Sequence, residues 1–314
     1  MWKNLLPAIM VVLALSLAGG CKTKKIYPSV TDSPTSGSIN ISVDESFKPV
    51  VDELIKVYEG SYPGTKVIAH YKPEAECIKD LFRDSATRMV IITRGLTRKE
   101  SRYFEDTINY VPSSYKIAVD AIAVVVNAKS QDTAFSINRL KQQLSGEMGY
   151  KQQIIFDGLN ATSTIRYAID SILKGKKFDT GVVRAVKSSQ EVLDYVAENE
   201  NAIGMVGISW IANPEDTAQL AMLKKVKIAF VKCETCSDSP YVKPSQFSIM
   251  SKRYPMVRGL YYILKENYNG LGSGFVNFMK YERGQLIFRR AYLWPGIMDF
   301  NIRTVKLNEK LQKD

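Results

Sequence analysis

Short apolar runs alternate with amphipathic stretches along most of the chain. "SINISV" (38–43) alternates apolar and polar side chains, the period of a strand. Behind it Phe47, Val50, Val51, Leu54, Ile55 and Tyr58 recur three and four apart, which places them on one face of a helix. "TKVIAHY" (65–71) and "RMVIIT" (88–93) predict two more strands, with a helix over "AECIKDLFRD" between them. Thr97 and Glu100 have capping-box spacing ahead of a helix through "RKESRYFED". "KIAVDAIAVVVN" (116–127) is a long β-branched strand. The rhythm then repeats: a helix near 136–144, a strand at 153–156, a helix after Thr162, a helix near 189–197, and strands "AIGMVGI" (202–208) and "KVKIAFVK" (225–232). From Tyr254 to Tyr292 the apolar spacing predicts two or three amphipathic helices, "VRGLYYILKENY" among them. Alternation of this kind predicts parallel sheets covered by helices. Two such stretches and a late helical return predict a bilobal α/β body whose first lobe is completed by the C-terminus.

The chain's beginning stands apart from this pattern. Met1-Trp2-Lys3 is followed by a nearly unbroken apolar run, Leu5 to Leu17, too short to span a bilayer, and then by Ala18-Gly19-Gly20 and Cys21. Residues 1–20 therefore read as a secretory signal peptide. A Cys directly after small residues resembles the bacterial lipobox, which implies that Cys21 is lipid-modified and begins the mature chain. That expectation makes this an exported protein, anchored as a lipoprotein on the periplasmic face of a bacterial membrane. Ala18 stands where the lipobox prefers Leu. Lys22 to Ser38 is rich in Ser, Thr, Pro and Lys with little to bury, and reads as a flexible tether.

The 314 residues carry a formal charge of +11, or +10 once Lys3 leaves with the signal. A basic excess of this size suits anionic ligands or anionic lipid surfaces without choosing between them. Three cysteines remain after lipidation. An exported chain meets oxidising conditions, so Cys233 and Cys236 of "KCETCSDSPY" read as a surface disulfide or as two idle thiols, and the state of Cys77 is open. One histidine, His70, leaves too few ligands for zinc and few candidates for a general base. Neither a metal nor another cofactor is expected, nor is enzymatic activity.

The candidate chemistry lies in hydroxyls at the ends of predicted strands. "IIFDGLNATSTIRYAIDSIL" (154–173) reads as strand, polar loop and helix, with Thr162, Ser163 and Thr164 at the helix start. Ser46 follows the first strand in the same way, and Thr93 with Arg94 follows the third. The carboxyl ends of parallel strands share one edge, where α/β folds bind ligands. Helix N-termini there offer unpaired N–H groups and a positive dipole end. Hydroxyl donors and an arginine added to them make an oxyanion site. Each Ser or Thr is also an ordinary N-cap, so one alone says nothing.

Five segments in order resemble the phosphate-binding proteins of bacterial ABC phosphate transporters, members of the type II periplasmic-binding-protein family. They are "DAIAVVVNAKS", "NATSTIRYAI" against that family's S-G-T-R loop, "ENAIGMVG", "KRYPMVRGLYYILK" and "FVNFMKYERGQLIFRRAYLWP". The resemblance covers nearly all of the mature chain. It implies a bilobal type II periplasmic-binding-protein fold, two α/β lobes with a hinge and a ligand cleft between them. Its lobes would be 38–118 plus 241–305 and 119–240, after a lipidated Cys and tether at 21–37 and before a tail at 306–314. It further implies anion contacts at Ser46 and Phe47, at Thr93 and Arg94, and at Asn160, Thr162, Ser163 and Thr164, with Arg166 as the charged partner. In the family motif the Arg follows the Thr directly, whereas here Ile165 intervenes. Many relatives have Ser and then Asp after the third strand, and that Asp accepts the proton of hydrogen phosphate. Here "IITRGLT" has none, so phosphate against other oxyanions stays open.

The expected function is thus a lipid-anchored, monomeric solute-binding protein that captures phosphate or a similar oxyanion and delivers it to an ABC permease, with no nucleic-acid partner. The alternative is an interaction or sensor lipoprotein of the same fold with altered or lost ligand binding.

Overall fold

The computed structural model describes residues 32–297, apart from 148, 150–151 and 159–161. The signal peptide, Cys21, Asn160 and the 306–314 tail lie outside the described residues. Among those described, no helix is long and apolar enough to cross a membrane.

Thirteen strands are described: β1 Gly37–Asp44, β2 Thr65–Lys72, β3 Thr87–Ile92, β4 Ser113–Asn127, β5 Ala134–Phe135, β6 Gln153–Asp157, β7 Val183–Val186, β8 Ala202–Gly207, β9 Val226–Ile228, β10 Phe230–Lys232, β11 Tyr241–Val242, β12 Val257–Leu264 and β13 Trp294–Pro295. The main sheet runs β2-β1-β3-β12-β4-β8-β6-β7, with β9 and β13 also paired to β4, while β5, β10 and β11 form a small sheet of their own. Two α/β lobes share β4. Its first part, Ser113 to Ala121, pairs with β12, and its second part, Ile122 to Val126, pairs with β8. From Ile117 to Asn127 β4 is buried apart from Val119, as its apolar composition requires of a strand covered on both faces.

Pairing is parallel within β2-β1-β3 and within β8-β6-β7, as the alternating pattern predicts, but antiparallel wherever β4 and β12 take part. "VRGLYYILKENY" does not form the predicted helix: Val257–Leu264 is β12, inserted between β3 and β4. Its apolar spacing fits a helix face, but pairing with β3 and β4 on either side holds it extended, with burial alternating from Val257 to Tyr262. The later part of the tail is helical as expected, in Leu271–Lys280 and Glu282–Arg290. "KVKIAFVK" divides into β9 and β10, which join different sheets.

The helix Lys48–Ser61 buries Val50, Val51, Leu54 and Tyr58 of its predicted face. The capping box at Thr97 and Glu100 is formed, and the helix behind it ends on Asn109 in the left-handed conformation. The folded body begins earlier than the tether reading allows. Asp32 is buried, receives a bidentate pair from Arg88 at 2.6 and 3.2 Å, and accepts the Leu271 N–H at the start of Leu271–Lys280. A carboxylate there satisfies both a partly buried guanidinium and a helix N-terminus, so this part of the polar segment is ordered despite its composition. Cys233 and Cys236 form a disulfide, and Cys77 is a free thiol buried beside Leu81, Val90 and Phe104.

Candidate functional site

The ends of β1, β6 and β8 and the middle of β4 converge on one buried polar cluster. Asp44 ends β1 and caps a single 3₁₀ turn, Glu45–Phe47, accepting the Ser46 N–H at 3.1 Å and its hydroxyl at 2.8 Å. The Ser46 Oγ lies 3.1 Å from the Ser163 Oγ, at the start of the short helix Ser163–Tyr167. Ser163 in turn accepts from Arg258 Nη1 at 2.7 Å, and Arg258 Nε donates to Asp120 at 2.7 Å. A chain of donors thus runs from a guanidinium through two hydroxyls to a carboxylate. Arg258 also lies over the Phe47 ring, 5.0 Å from its centroid, so Phe47 forms part of the wall.

Asp157 ends β6 beside this chain. Thr162 and Thr164 donate to it, each at 3.3 Å, and the hydroxyls of Ser189 and Ser46 lie 3.4 and 3.5 Å away. Thr162 is also the N-cap of its helix, accepting the Ile165 N–H. Glu45 receives the N–H and the hydroxyl of Ser189 at the first turn of Ser189–Glu198. Gly207 lets β8 approach: a Cβ there would lie 3.0 Å from the Ser46 carbonyl and 3.3 Å from Arg258 Nη2.

Burial sets the electrostatics of the cluster. It raises the carboxyls of Asp44 and Asp120 despite the attraction of Arg258, and raises Glu45 against the two bonds from Ser189. Burial, with Asp44 and Glu45 adding to it, pushes Asp157 up to about 8. Within the cluster three buried atoms have no hydrogen-bond partner, Asp44 Oδ2, Asp120 Oδ1 and Arg258 Nη2; Gln143 Oε1, Trp210 Nε1 and Arg253 Nε share that state elsewhere among the described residues. Unsatisfied valences of this kind are rare in protein interiors, and an ion or a bound anion can complete them. Among the described residues no group of His, Cys, Asp and Glu is arranged to hold a metal ion.

A second polar group lies where the two lobes meet. Glu74, buried, accepts from the Thr93 N–H and hydroxyl and from Arg166 Nε at 2.6 Å, and Arg166 also donates to Thr93. Although burial opposes it, these bonds and the Arg166 charge hold Glu74 below the usual carboxylate range. A pocket of about 330 Å³ opens beside it, lined by Glu74, Ile78, Arg94, Ile165, Arg166 and Asp170 among others.

The structure therefore brings together Ser46, Phe47, Thr162, Ser163 and Thr164, and gathers Thr93 and Arg166 around Glu74. Arg94 departs from its expected place as an anion contact: Glu100 binds it through two bonds of 2.7 and 2.8 Å, because the capping-box carboxylate lies within reach. Arg166 is likewise engaged by an acid, and the guanidinium beside Ser163 is that of Arg258. Asp44, Asp120, Asp157, Gly207 and Arg258 are absent from the sequence reading of the site. A signal for two of them exists, since Asp120 interrupts the apolar run Ile117–Val126 and Arg258 is the one charge of Val257–Leu264, which points to a buried pair.

The fold matches many solved structures. One is a protein from Clostridium perfringens described as a phosphate ABC transporter substrate-binding protein with bound phosphate. It is 19% identical, with a TM-score of 0.66 over 82% of this chain and 99% of that one. Another is an ABC-type phosphate transport receptor from Vibrio cholerae, 20% identical, TM-score 0.57, over 82% and 99%. The CcmR regulatory domain of Synechocystis, in complex with 2-PG, shares the fold at 11% identity and TM-score 0.51, over 78% and 96%. No curated protein matches the chain. A family model described as the PBP superfamily domain matches residues 28–282, and with its two α/β lobes the chain belongs to the periplasmic-binding-protein superfamily.

Proposed function

We propose that this protein is a lipid-anchored solute-binding protein that captures inorganic phosphate or a similar oxyanion between its lobes and delivers it to an ABC permease. One observation carries the reading: Ser46, Ser163, Thr164 and Arg258 converge in a buried site, and one guanidinium nitrogen there has no partner. Hydroxyls and a guanidinium held away from water bind an oxyanion by charge-assisted hydrogen bonds. The phosphate named for the Clostridium perfringens and Vibrio cholerae relatives supports the choice of ligand. In this reading 38–118 with 241–305 forms one lobe and 119–240 the other, and Cys21 bears the lipid. The test is calorimetric titration of the chain from Lys22 with phosphate, sulfate, arsenate and molybdate. Binding of at least one is expected. Cys21→Ser is expected to release the protein from the membrane fraction.

One observation favours a second reading, a sensor or interaction lipoprotein with altered ligand binding. Asp44, Asp120 and Asp157 share the cluster with a single arginine, an acid-rich setting for an anion. Failure of every oxyanion in the titration selects that reading.

A further inference from the structure

We infer that Asp157 is an internal competitor of the bound anion, set among the same hydroxyls and governing both affinity and its dependence on pH. The inference rests on the oxyanion reading of the site.

Asp157 is buried, and its backbone is fixed by pairing with Val186 at the end of β6. Four hydroxyls surround its carboxyl oxygens. Thr162 and Thr164 come from one helix start, Ser189 from another, and Ser46 from the 3₁₀ turn, at 3.3, 3.3, 3.4 and 3.5 Å. No cation holds it directly, because Arg258 directs its bonds to Asp120, Ser163 and Thr164. Two buried valences next to it remain open, Arg258 Nη2 as a donor and Asp44 Oδ2 as an acceptor.

Each hydroxyl has one proton to give: Ser46 and Ser189 give theirs over shorter bonds to Asp44 and Glu45, and Thr162 and Thr164 give theirs to Asp157. A proton directed at Asp157 is not available to an external anion, and two anions in one poorly solvated cluster repel strongly. An oxyanion therefore enters as Asp157 takes up a proton. The charged groups facing Asp157 are Asp44 and Glu45 from the end of β1 and its turn, and Arg258 from β12 with its partner Asp120 from β4. Burial, with the acids outnumbering the base, keeps Asp157 protonated up to about pH 8. Anion affinity is then highest below that pH and falls as the pH rises through it, by up to about tenfold per unit while one proton is coupled to binding.

The experiment is calorimetric titration of phosphate, and of sulfate, whose charge is constant, into wild type, Asp157→Ala and Asp157→Asn at about pH 6 and about pH 9. Thermal melting establishes that each variant is folded. Asp157→Ala is expected to bind at least about tenfold tighter than wild type at the higher pH, a change of about 1.4 kcal/mol. Its sulfate affinity is expected to be the same at both pH values. Asp157→Asn, closest in shape, is expected to show the same gain and serves alone if the alanine variant does not fold. Wild type that binds as tightly as both variants, with no pH dependence for sulfate, overturns the inference and leaves the oxyanion reading standing. Three folded proteins that bind neither anion overturn both.

Discussion

Two buried charge clusters divide the work of this molecule, and they differ in whether their valences are filled. Around Arg88, Asp32 and Glu266 supply carboxylates, Tyr268 a hydroxyl and Ser38 a carbonyl. The acids are further bonded by the N–H groups of Leu271 and Ser273, and no buried atom among these groups lacks a partner. Around Arg258 three acids share one base, and three atoms are open. A saturated cluster fixes one arrangement of the chain, here the chain start against β3 and the helix Leu271–Lys280. An unsaturated one costs stability and persists where something else completes it.

Removing each arginine separates the two roles most sharply. Arg88→Met leaves Asp32 and Glu266 buried without their cation, and is expected to cost about 3–5 kcal/mol in chemical denaturation. The folded fraction is expected to bind phosphate as wild type does. Arg258→Met is expected to abolish phosphate binding. It is also expected to destabilise less at about pH 5 than at about pH 7.5, because burial already favours the protonated forms of Asp44 and Asp120.

Next in size is the contribution of Asp157 to stability. An acid whose folded value is raised from 3.8 to about 8 favours the folded state most below the unfolded value, and that contribution is lost as pH rises to about 8. Asparagine does not titrate. The stability of Asp157→Asn relative to wild type is therefore expected to grow by more than about 1 kcal/mol across this window and then level off. Urea denaturation at a series of pH values measures it, and a flat difference would remove Asp157 from the unsaturated cluster.

A smaller effect is expected at the contact between lobes. Glu74→Gln keeps the shape of the Arg166 and Thr93 contacts but removes the charge, and is expected to weaken closure by about 1–2 kcal/mol. Small-angle scattering is expected to show a larger radius for the unliganded variant, with compaction on adding the ligand. Arg94→Met is expected to do least. Its guanidinium is paired with Glu100 at the surface, so stability changes by at most about 1 kcal/mol and phosphate affinity stays put.

The same contrast explains what was legible in the chain. Elements whose local pattern and packing agree were readable: β1, β3, the capped helix behind Thr97 and the apolar face of Lys48–Ser61. β12 was not, because strand pairing on both sides, rather than its own periodicity, decides its state. Hydroxyls at strand ends announced themselves by position, and Ser46, Ser163 and Thr164 do meet. Acids at strand ends did not, since Asp44 and Asp157 look in sequence like ordinary caps and turn residues. Arg166 and Arg94 were nearest in sequence to the hydroxyls, yet each is claimed by an acid, Glu74 or Glu100. The base that reaches Ser163 comes from β12, 95 residues along the chain, and only the folded sheet brings it there.

Replacing Ser46 and Ser163 together with Ala separates a ligand held by these hydroxyls from one held elsewhere. The change removes two hydroxyls that neither cap a helix nor alter its spacing, and leaves Thr162 to cap. Calorimetric titration with phosphate below about pH 7 is expected to show affinity weakened by a factor on the order of 10² or more, at about 1.5–3 kcal/mol per charge-assisted bond. A folded double variant that binds phosphate as tightly as wild type would contradict the placement of the ligand between Ser46, Ser163 and Arg258.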